Sequence, residues 1–385
     1  MQSNWPECLA KDGGEFWVTF KEVEKQGDHD KVKKDGNELV AKDEKFSIDM
    51  VSKDVLKIIH KKSNSCGFFL GPSDYFSNIQ CGKRVASLDV SSGGLGVLFG
   101  GGEKLSVWDT NTGTVRRVLE GHLGEVYTAK LFPSGIVVLS GGADLQLKIW
   151  SAKDGSCPVT MTGHTQAIMD TAIVGAGKNV ISVSKDGSAR LWSCGDASCV
   201  DVLVTVEDQI NCCNLAQDTM FHPLQDTVGE TMEQGEVDTV GKVLAMGGEG
   251  GSLTVLDVAA RKIIFSANLH SAVNCVLLTP SCLYAGCQDG QVHILRTGGQ
   301  GTILSCSHSP VLSVLPVCGG LCVSRQDGSV TIHQVDRSPH TRLDLTGADT
   351  EPVYKVVEDG VWLYTGCRDG SVRKYSMASV RGVVG

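Results

Sequence analysis

The sequence predicts an all-β protein, a seven-bladed β-propeller with a small N-terminal β-rich extension, and three observations carry that reading. A seven-residue frame recurs seven times along the 385 residues: a turn residue, then alternating apolar and polar positions, then a bulky residue six places on. The last position of the frame falls at 108, 150, 192, 256, 295, 333 and 375, giving spacings of 42, 42, 64, 39, 38 and 42. A period near 40 is that of one four-stranded blade. The 46 glycines and the scarcity of helix-favouring runs suit short strands joined by tight turns.

The frame is clearest from Asp144 to Trp150 and from Asp186 to Trp192. It recurs from Asp289 to Leu295, Asp327 to His333 and Asp369 to Tyr375, and more weakly from Gly102 to Trp108 and Gly250 to Leu256. The first blade reads as four strands, from the axis outward: 85–90, 94–99, 104–108 and 115–119. The last blade offers only three, because little chain remains after Tyr375. Residues 75–79 precede the first inner strand as 115–119 precede the second, so they are expected to supply the missing outer strand. Joining both ends of the chain in one blade removes exposed strand edges, which invite misassociation. The propeller is therefore assigned to residues 71–385.

Residues 1–70 stand outside the repeat. They are dense in Lys, Asp and Glu and contain no Arg. The runs 15–20, 46–51 and 55–59 alternate as strands, and 25–37 is charged enough to be expected as a loop. This stretch is assigned as a β-rich extension or cap. The 64-residue spacing requires an insertion, assigned to 217–241. It carries Asp218, Asp226, Glu230, Glu233, Glu236 and Asp238 with no Lys or Arg between 218 and 238, so a solvated loop is expected.

The formal net charge of −9 argues against a nucleic-acid partner, since phosphate binding needs a basic face. It suits a basic protein partner steered by long-range fields. Fifteen cysteines are present, but Cys212 and Cys213 are adjacent, and others such as Cys275 and Cys322 sit in apolar strand contexts. Reduced, buried thiols in a cytoplasmic or nuclear protein are expected. No paired Cys-x-x-Cys occurs at zinc-site spacing, and no apolar run reaches the length of a membrane span. No cofactor, metal or membrane is implied, and the chain alone is expected to be monomeric.

Two Gly-His dyads, Gly121-His122 and Gly163-His164, and the literal Trp108-Asp109 pair make blades one to three resemble the WD-repeat family. That family links the dyad His, a Ser, a turn Asp and a Trp through a buried hydrogen-bond chain. The matching residues here are His122, Ser140, Asp144 and Trp150 in one blade, and His164, Ser182, Asp186 and Trp192 in the next. Imidazole can bridge a hydroxyl and a carboxylate, while the indole N–H only donates. A His, a Ser and an Asp also suggest a hydrolytic triad, but a catalytic Ser must reach substrate, and these lie on interior strands. No Gly-rich phosphate loop or nucleophile elbow is present, so catalysis is not expected. Blades four to seven lack the full set and should lean more on apolar packing.

By propeller geometry, one face gathers the loops between blades and the turns within them. The residues expected there to touch a partner are Lys185, Gln288, Gln326 and Arg368 before the turns, and Tyr127, Asp170 and Tyr354 at the inner strands. Glu125, Glu207, Asp208, Asp349 and Glu351 are the acids in the neighbouring loops.

The runs Arg116–His122, Phe132–Gly142, Ala143–Trp150, Asp170–Val174, Leu345–Asp349, Pro352–Val356 and Arg368–Arg373 resemble the proteasomal ATPase-associated factor family, a likeness covering most of residues 75–377. The resemblance implies a protein that binds an ATPase subunit of the proteasome regulatory particle. It implies an assembly chaperone and negative regulator that hinders premature joining to the proteolytic core. A substrate receptor of a ubiquitin ligase and a general signalling scaffold are the other readings of a propeller without catalytic motifs.

Overall fold

The computed structural model describes residues 4–11, 14–20, 28–35, 38–77, 79, 84–217, 235–296, 301–305, 307–317, 320–334 and 342–384. Among the described residues there are seven four-stranded antiparallel units, the blades of a WD-type β-propeller. The chain divides into two compact units, one of residues 77–314 with 368–371, the other of 1–76, 315–367 and 372–385.

The first of these holds blades 1 to 5. Each is a meander from inner to outer strand, as in blade 2: Val126–Leu131, Val137–Gly142, Gln146–Ser151 and Val159–Thr162. Second strands are sheathed on both faces, so Asn179–Ser184 is buried throughout and reads as a continuous run. Outer strands face water, and Val115–Leu119 buries only Leu119.

A polar seam joins the inner strands of this unit. Asp89 accepts from the Leu131 amide at 2.8 Å, and Asp170 accepts from the Cys213 amide at 3.0 Å. The side chain of Asn214 accepts from the Leu278 amide at 2.9 Å, and Asn274 donates to the Val311 carbonyl at 2.9 Å. Lys130 bridges the same gap, reaching the Asp170 carboxylate at 3.0 Å and also the Thr171 carbonyl. Burial pulls the Lys130 pKa down, but Asp170 and its acidic neighbours lift it to about 12, so the ammonium stays charged.

The other unit contains blades 6 and 7 and the N-terminal segment. Helix α1 (Trp5–Leu9) is followed by β1 (Glu15–Phe20), β2 (Asp28–Asp35) and β3 (Glu38–Ala41), which form a three-stranded sheet in the order β1-β2-β3. The charged stretch expected as a loop at 25–37 is thus a strand over 28–35. Asp30 and Val32 share one face and are buried, while Lys31 and Lys33 lie on the opposite face. Asp30 is held by the amides of Lys31, Asp43 and Lys45.

Strands β4 (Phe46–Ser52), β5 (Val55–His60) and β6 (Ser65–Leu70) do not stand apart from the propeller as a separate extension would. β6 runs parallel to the outer strand of blade 6, with Leu343 opposite Phe68 and Leu345 opposite Leu70, making one seven-stranded sheet. One face of that sheet buries Phe46, Ile48, Leu56 and Ile58 with Trp5, Phe16 and Val18; the other buries Val55 and Leu70 with Leu343 and Leu345. The boundary at residue 70 therefore cuts through a shared core.

β7 (Asp74–Phe76) lies antiparallel to Val372–Ser376 of blade 7, with Phe76 opposite Val372 and Asp74 opposite Lys374. The paired residues start one place earlier and end sooner than 75–79, and Asn78 lies outside the described residues. The chain then ends in helix α2 (Met377–Val384), where no strand could add to a blade already completed. The Ser376 hydroxyl caps its start by accepting from the Ser379 amide at 3.3 Å. Met377, Val380 and Val384 bury themselves in the same core as Leu70.

The acidic insertion is expected as a solvated loop, and Asp218, Asp226, Glu230 and Glu233 lie outside the described residues. Its last part is packed instead. Glu236 is 8% exposed because Arg261 pairs with it at 2.7 Å, and Asn179 grips the Gly235 carbonyl and the Val237 amide.

Leu70→Ala should remove packing from a fully buried site shared by β6, blade 6 and α2. The expected cost is about 2–5 kcal/mol, read as a lower urea midpoint at unchanged slope. Asp170→Ala is expected to cost about 1–3 kcal/mol by orphaning the Cys213 amide and leaving Lys130 only the Thr171 carbonyl, with affinity for a protein partner unchanged in the folded fraction.

Candidate functional site

In blade 2, the His122 ring places Nδ1 2.7 Å from the Asp144 carboxylate and Nε2 2.7 Å from the Ser140 hydroxyl. The Trp150 indole donates to that same hydroxyl at 2.8 Å. Blade 3 repeats the geometry: His164 to Asp186 at 2.8 Å, His164 to Ser182 at 2.7 Å, and Trp192 to Ser182 at 2.8 Å. Only one tautomer serves every bond. Nδ1–H donates to the carboxylate, Ser Oγ–H donates to Nε2, and Ser Oγ accepts from the indole. The carboxylates also accept backbone amides, from Leu123 at 3.1 Å and from Thr165 at 3.0 Å, so each chain fastens a loop between blades to the turn within one.

Glycine before each His is a requirement of this clasp. Gly121 and Gly163 have φ of +144° and +155°, and a Cβ there would stand 3.3 and 3.2 Å from the Trp150 and Trp192 rings.

Burial holds the pKa of both His122 and His164 below the ordinary 6.5, although Asp144 and Asp186 pull the other way. Both rings are therefore neutral in the folded protein. Burial also opposes the charge of Asp186, but donors on Ser188, Thr165 and His164 outweigh it and hold the carboxyl below the usual carboxylate range. Ser140 and Ser182 are fully buried and spend their hydroxyls on His and Trp. Nothing remains of either to attack a substrate, so the sets act as clasps.

Other blades carry polar groups that the spacing does not reveal. In blade 4 the acid comes from the preceding loop: Asp208 accepts from the Gly250 amide at 2.9 Å and the Ser252 hydroxyl at 2.6 Å. In blade 6, His333 stands where Trp stands in blade 2 and meets Thr331 at 2.7 Å, while Arg325 donates to Thr331 at 3.0 Å. In blade 7, Tyr375 takes that place and donates to the Thr346 carbonyl at 2.7 Å.

The residues expected to touch a partner fall into distinct environments. In the unit of blades 1 to 5, Asp170 is spent in the inner-strand seam and Asp208 in the blade 4 clasp, so neither carboxylate is a loose surface charge. Glu125 pairs with Arg84 at 2.6 Å, and exposed Gln288 accepts from Asn274 at 2.9 Å. Glu207 and Arg368 are exposed, while Tyr127 and Lys185 are half-buried.

In the other unit, Gln326 and Asp349 are exposed, and Glu351 and Tyr354 half-buried. The carbonyls of Asp349 and Glu351 lie 2.6 and 2.9 Å from where a Cβ on Gly328 would stand, which brings their loop against the turn that follows Gln326. Asp349 has a φ of +51°, a conformation that Asp tolerates better than most residues.

Trp150→Phe should cost about 1–3 kcal/mol, because the ring volume is largely kept while Ser140 loses its donor. The depressed histidine pKa values fix the sign of a pH effect. Their contribution is complete above the unfolded value of 6.5 and is lost as the pH falls below it. Melting temperature should therefore drop on acidification through that value, and drop less steeply in a His122→Asn, His164→Asn double variant.

The sequence pattern described as "WD domain, G-beta repeat" matches residues 113–151 and 155–193, the clasped region of blades 2 and 3 together with the edge of blade 1. The chain is 41% identical to Proteasomal ATPase-associated factor 1 of Homo sapiens over 395 residues, 99% of this chain and 98% of that protein. It is 41% identical to the Gallus gallus protein of the same name over 391 residues, with the same coverage. A shorter match, 48% over 59 residues and 15% of this chain, joins it to Probable proteasomal ATPase-associated factor 1 of Dictyostelium discoideum. The likeness to the vertebrate proteins thus extends beyond residues 75–377, into the N-terminal sheets that share a core with blade 6. The chain belongs to the proteasomal ATPase-associated factor family.

Proposed function

We propose that this protein is a non-catalytic scaffold that binds an ATPase subunit of the proteasome regulatory particle. In this reading it chaperones assembly and restrains premature joining to the proteolytic core. The observation that carries the proposal is the kinship, at 41% identity over 99% of the chain, to proteins named for association with proteasomal ATPases. The physical mechanism is occlusion: a rigid β body seated on the ATPase blocks another partner. A chaperone must also let go, so the interface should be moderate in size and sensitive to salt.

The charge of the chain, −9, favours a basic surface on the partner. Within the candidate residues, the exposed acids Glu207 and Asp349, with half-buried Glu351 beside Asp349, suit that role better than Asp170 and Asp208, whose carboxylates hold the blades. Action in the cytoplasm or nucleus follows from the same reading, and fluorescence imaging of the tagged chain tests it.

Affinity capture with the full chain should recover regulatory-particle ATPase subunits without the proteolytic core. Recovery of ubiquitin-ligase adaptors instead would move the assignment to a substrate receptor. The near-isosteric pair Asp349→Asn and Glu351→Gln is expected to weaken ATPase binding by about three- to tenfold and to flatten its salt dependence at unchanged melting temperature. Unaltered affinity and unaltered salt dependence would remove this loop from the interface.

A further inference from the structure

The unit that contains blade 6 holds a cleft of about 490 Å³, bordered by the blade 6 turn at Gly328 and by the loop from Thr346 to Asp349. It arises from a mismatch of widths. The sheet of β1, β2 and β3 has three strands, whereas the sheet beneath it, running from β4 through β6 into blade 6, has seven. Among the described residues β1 is an edge strand, and its Val18 and Thr19 form one wall of the cleft. Beyond that edge the floor continues, built from Phe46, Ile58 and Phe69 and then from Arg342 and Asp344 on the outer strand of blade 6.

Three features of the cleft describe its occupant. An edge strand offers backbone groups in the spacing of an extended chain, the basis of recognition by strand addition. From Ser65 to Phe69 the floor runs about 13 Å at roughly 3.3 Å per residue, room for four or five extended residues. Gly67 faces the cleft from a pleat it shares with Phe69, opposite Ile58, and its lack of a side chain keeps the floor clear.

The charge is uneven. Arg342 is already committed to Asp344 at 2.7 Å, and the His60 ring is engaged by Ser63 at 2.8 Å and Asp28 at 3.2 Å. Asp349 stands exposed at the cleft mouth. Burial pushes the Asp344 carboxyl up, with Arg342 drawing it back, so a second cation would be welcome there.

We propose that this cleft docks an extended peptide segment of a partner protein, which adds to the open edge of β1. The segment sets an apolar side chain on Phe46, Ile58 and Phe69 and directs a basic side chain to Asp344 and Asp349. The cleft shares Asp349 with the loop assigned to the ATPase, but the peptide assay contains no ATPase and so holds or fails without that assignment.

The test is fluorescence polarisation with the full chain and a fluorescein-labelled peptide, Thr-Val-Thr-Val-Lys. Saturable binding in the micromolar range is expected, with slowed hydrogen exchange at the β1 amides. Replacing the first Val of the peptide by Pro, which cannot donate its amide, should abolish it. Gly67→Val is expected to weaken binding by about tenfold or more, since its side chain enters the space between Ile58 and Phe69. Asp349→Asn, which leaves the floor untouched, should weaken it by about two- to fivefold at low salt. Absence of saturation by about 1 mM peptide, equal binding of the Pro peptide, or equal affinity in a folded Gly67→Val variant would each overturn the proposal.

Discussion

Pairing of strand edges is the constraint on which this structure turns. A blade with three strands leaves its third strand as an open row of amides and carbonyls, and blade 7 would be such a blade if it were built only from the end of the chain. β7 completes it with three residues from before the first repeat. Only three residues separate β6 from β7, and β6 pairs with the outer strand of blade 6. The N-terminal segment is thereby fixed to two successive blades by backbone hydrogen bonds. The apolar face of β5 and β6 then becomes part of the blade 6 core, and α2 seals that core from the other terminus.

Within the blades, two kinds of polar chemistry divide the labour. Where His, Ser, Asp and Trp are all present, a neutral imidazole joins hydroxyl to carboxylate and binds a loop to a turn. Where they are missing, a single carboxylate (Asp208) or a tyrosine hydroxyl ties a loop down, and in blade 6 a Thr–His–Arg group links two adjacent strands. Between blades 1 to 5, acids, amides and one lysine stitch the inner strands together. These groups resemble catalytic or docking residues in type. Their burial and the partners they hold give them structural work.

The repeat and the first three blades were legible because they rest on local rules. A period near 40 and alternating side chains fix strands, and the offsets among His122, Ser140, Asp144 and Trp150 recur unchanged at His164, Ser182, Asp186 and Trp192. The missing fourth strand of the last blade could also be counted. Less legible was the stretch 28–35, where a charged strand passes for a loop because Val32 is its one apolar residue and the buried Asp30 beside it reads as a surface charge. Asp170 and Asp208 looked like surface acids for a related reason: the Cys213 and Gly250 amides they hold lie 43 and 42 residues away, and no spacing rule links a carboxylate to a distant backbone amide.

The sequence by itself determined the all-β class, the number of blades and the two histidine clasps, because each depends on periodicity or on short fixed offsets; the family came from the resemblance of runs such as Phe132–Gly142. Only the tertiary structure decided that residues 46–70 widen blade 6, that Glu236 is buried against Arg261, and that a cleft opens beside β1. Those features come from contacts between distant segments, whose geometry is set by packing and charge pairing once the chain has folded.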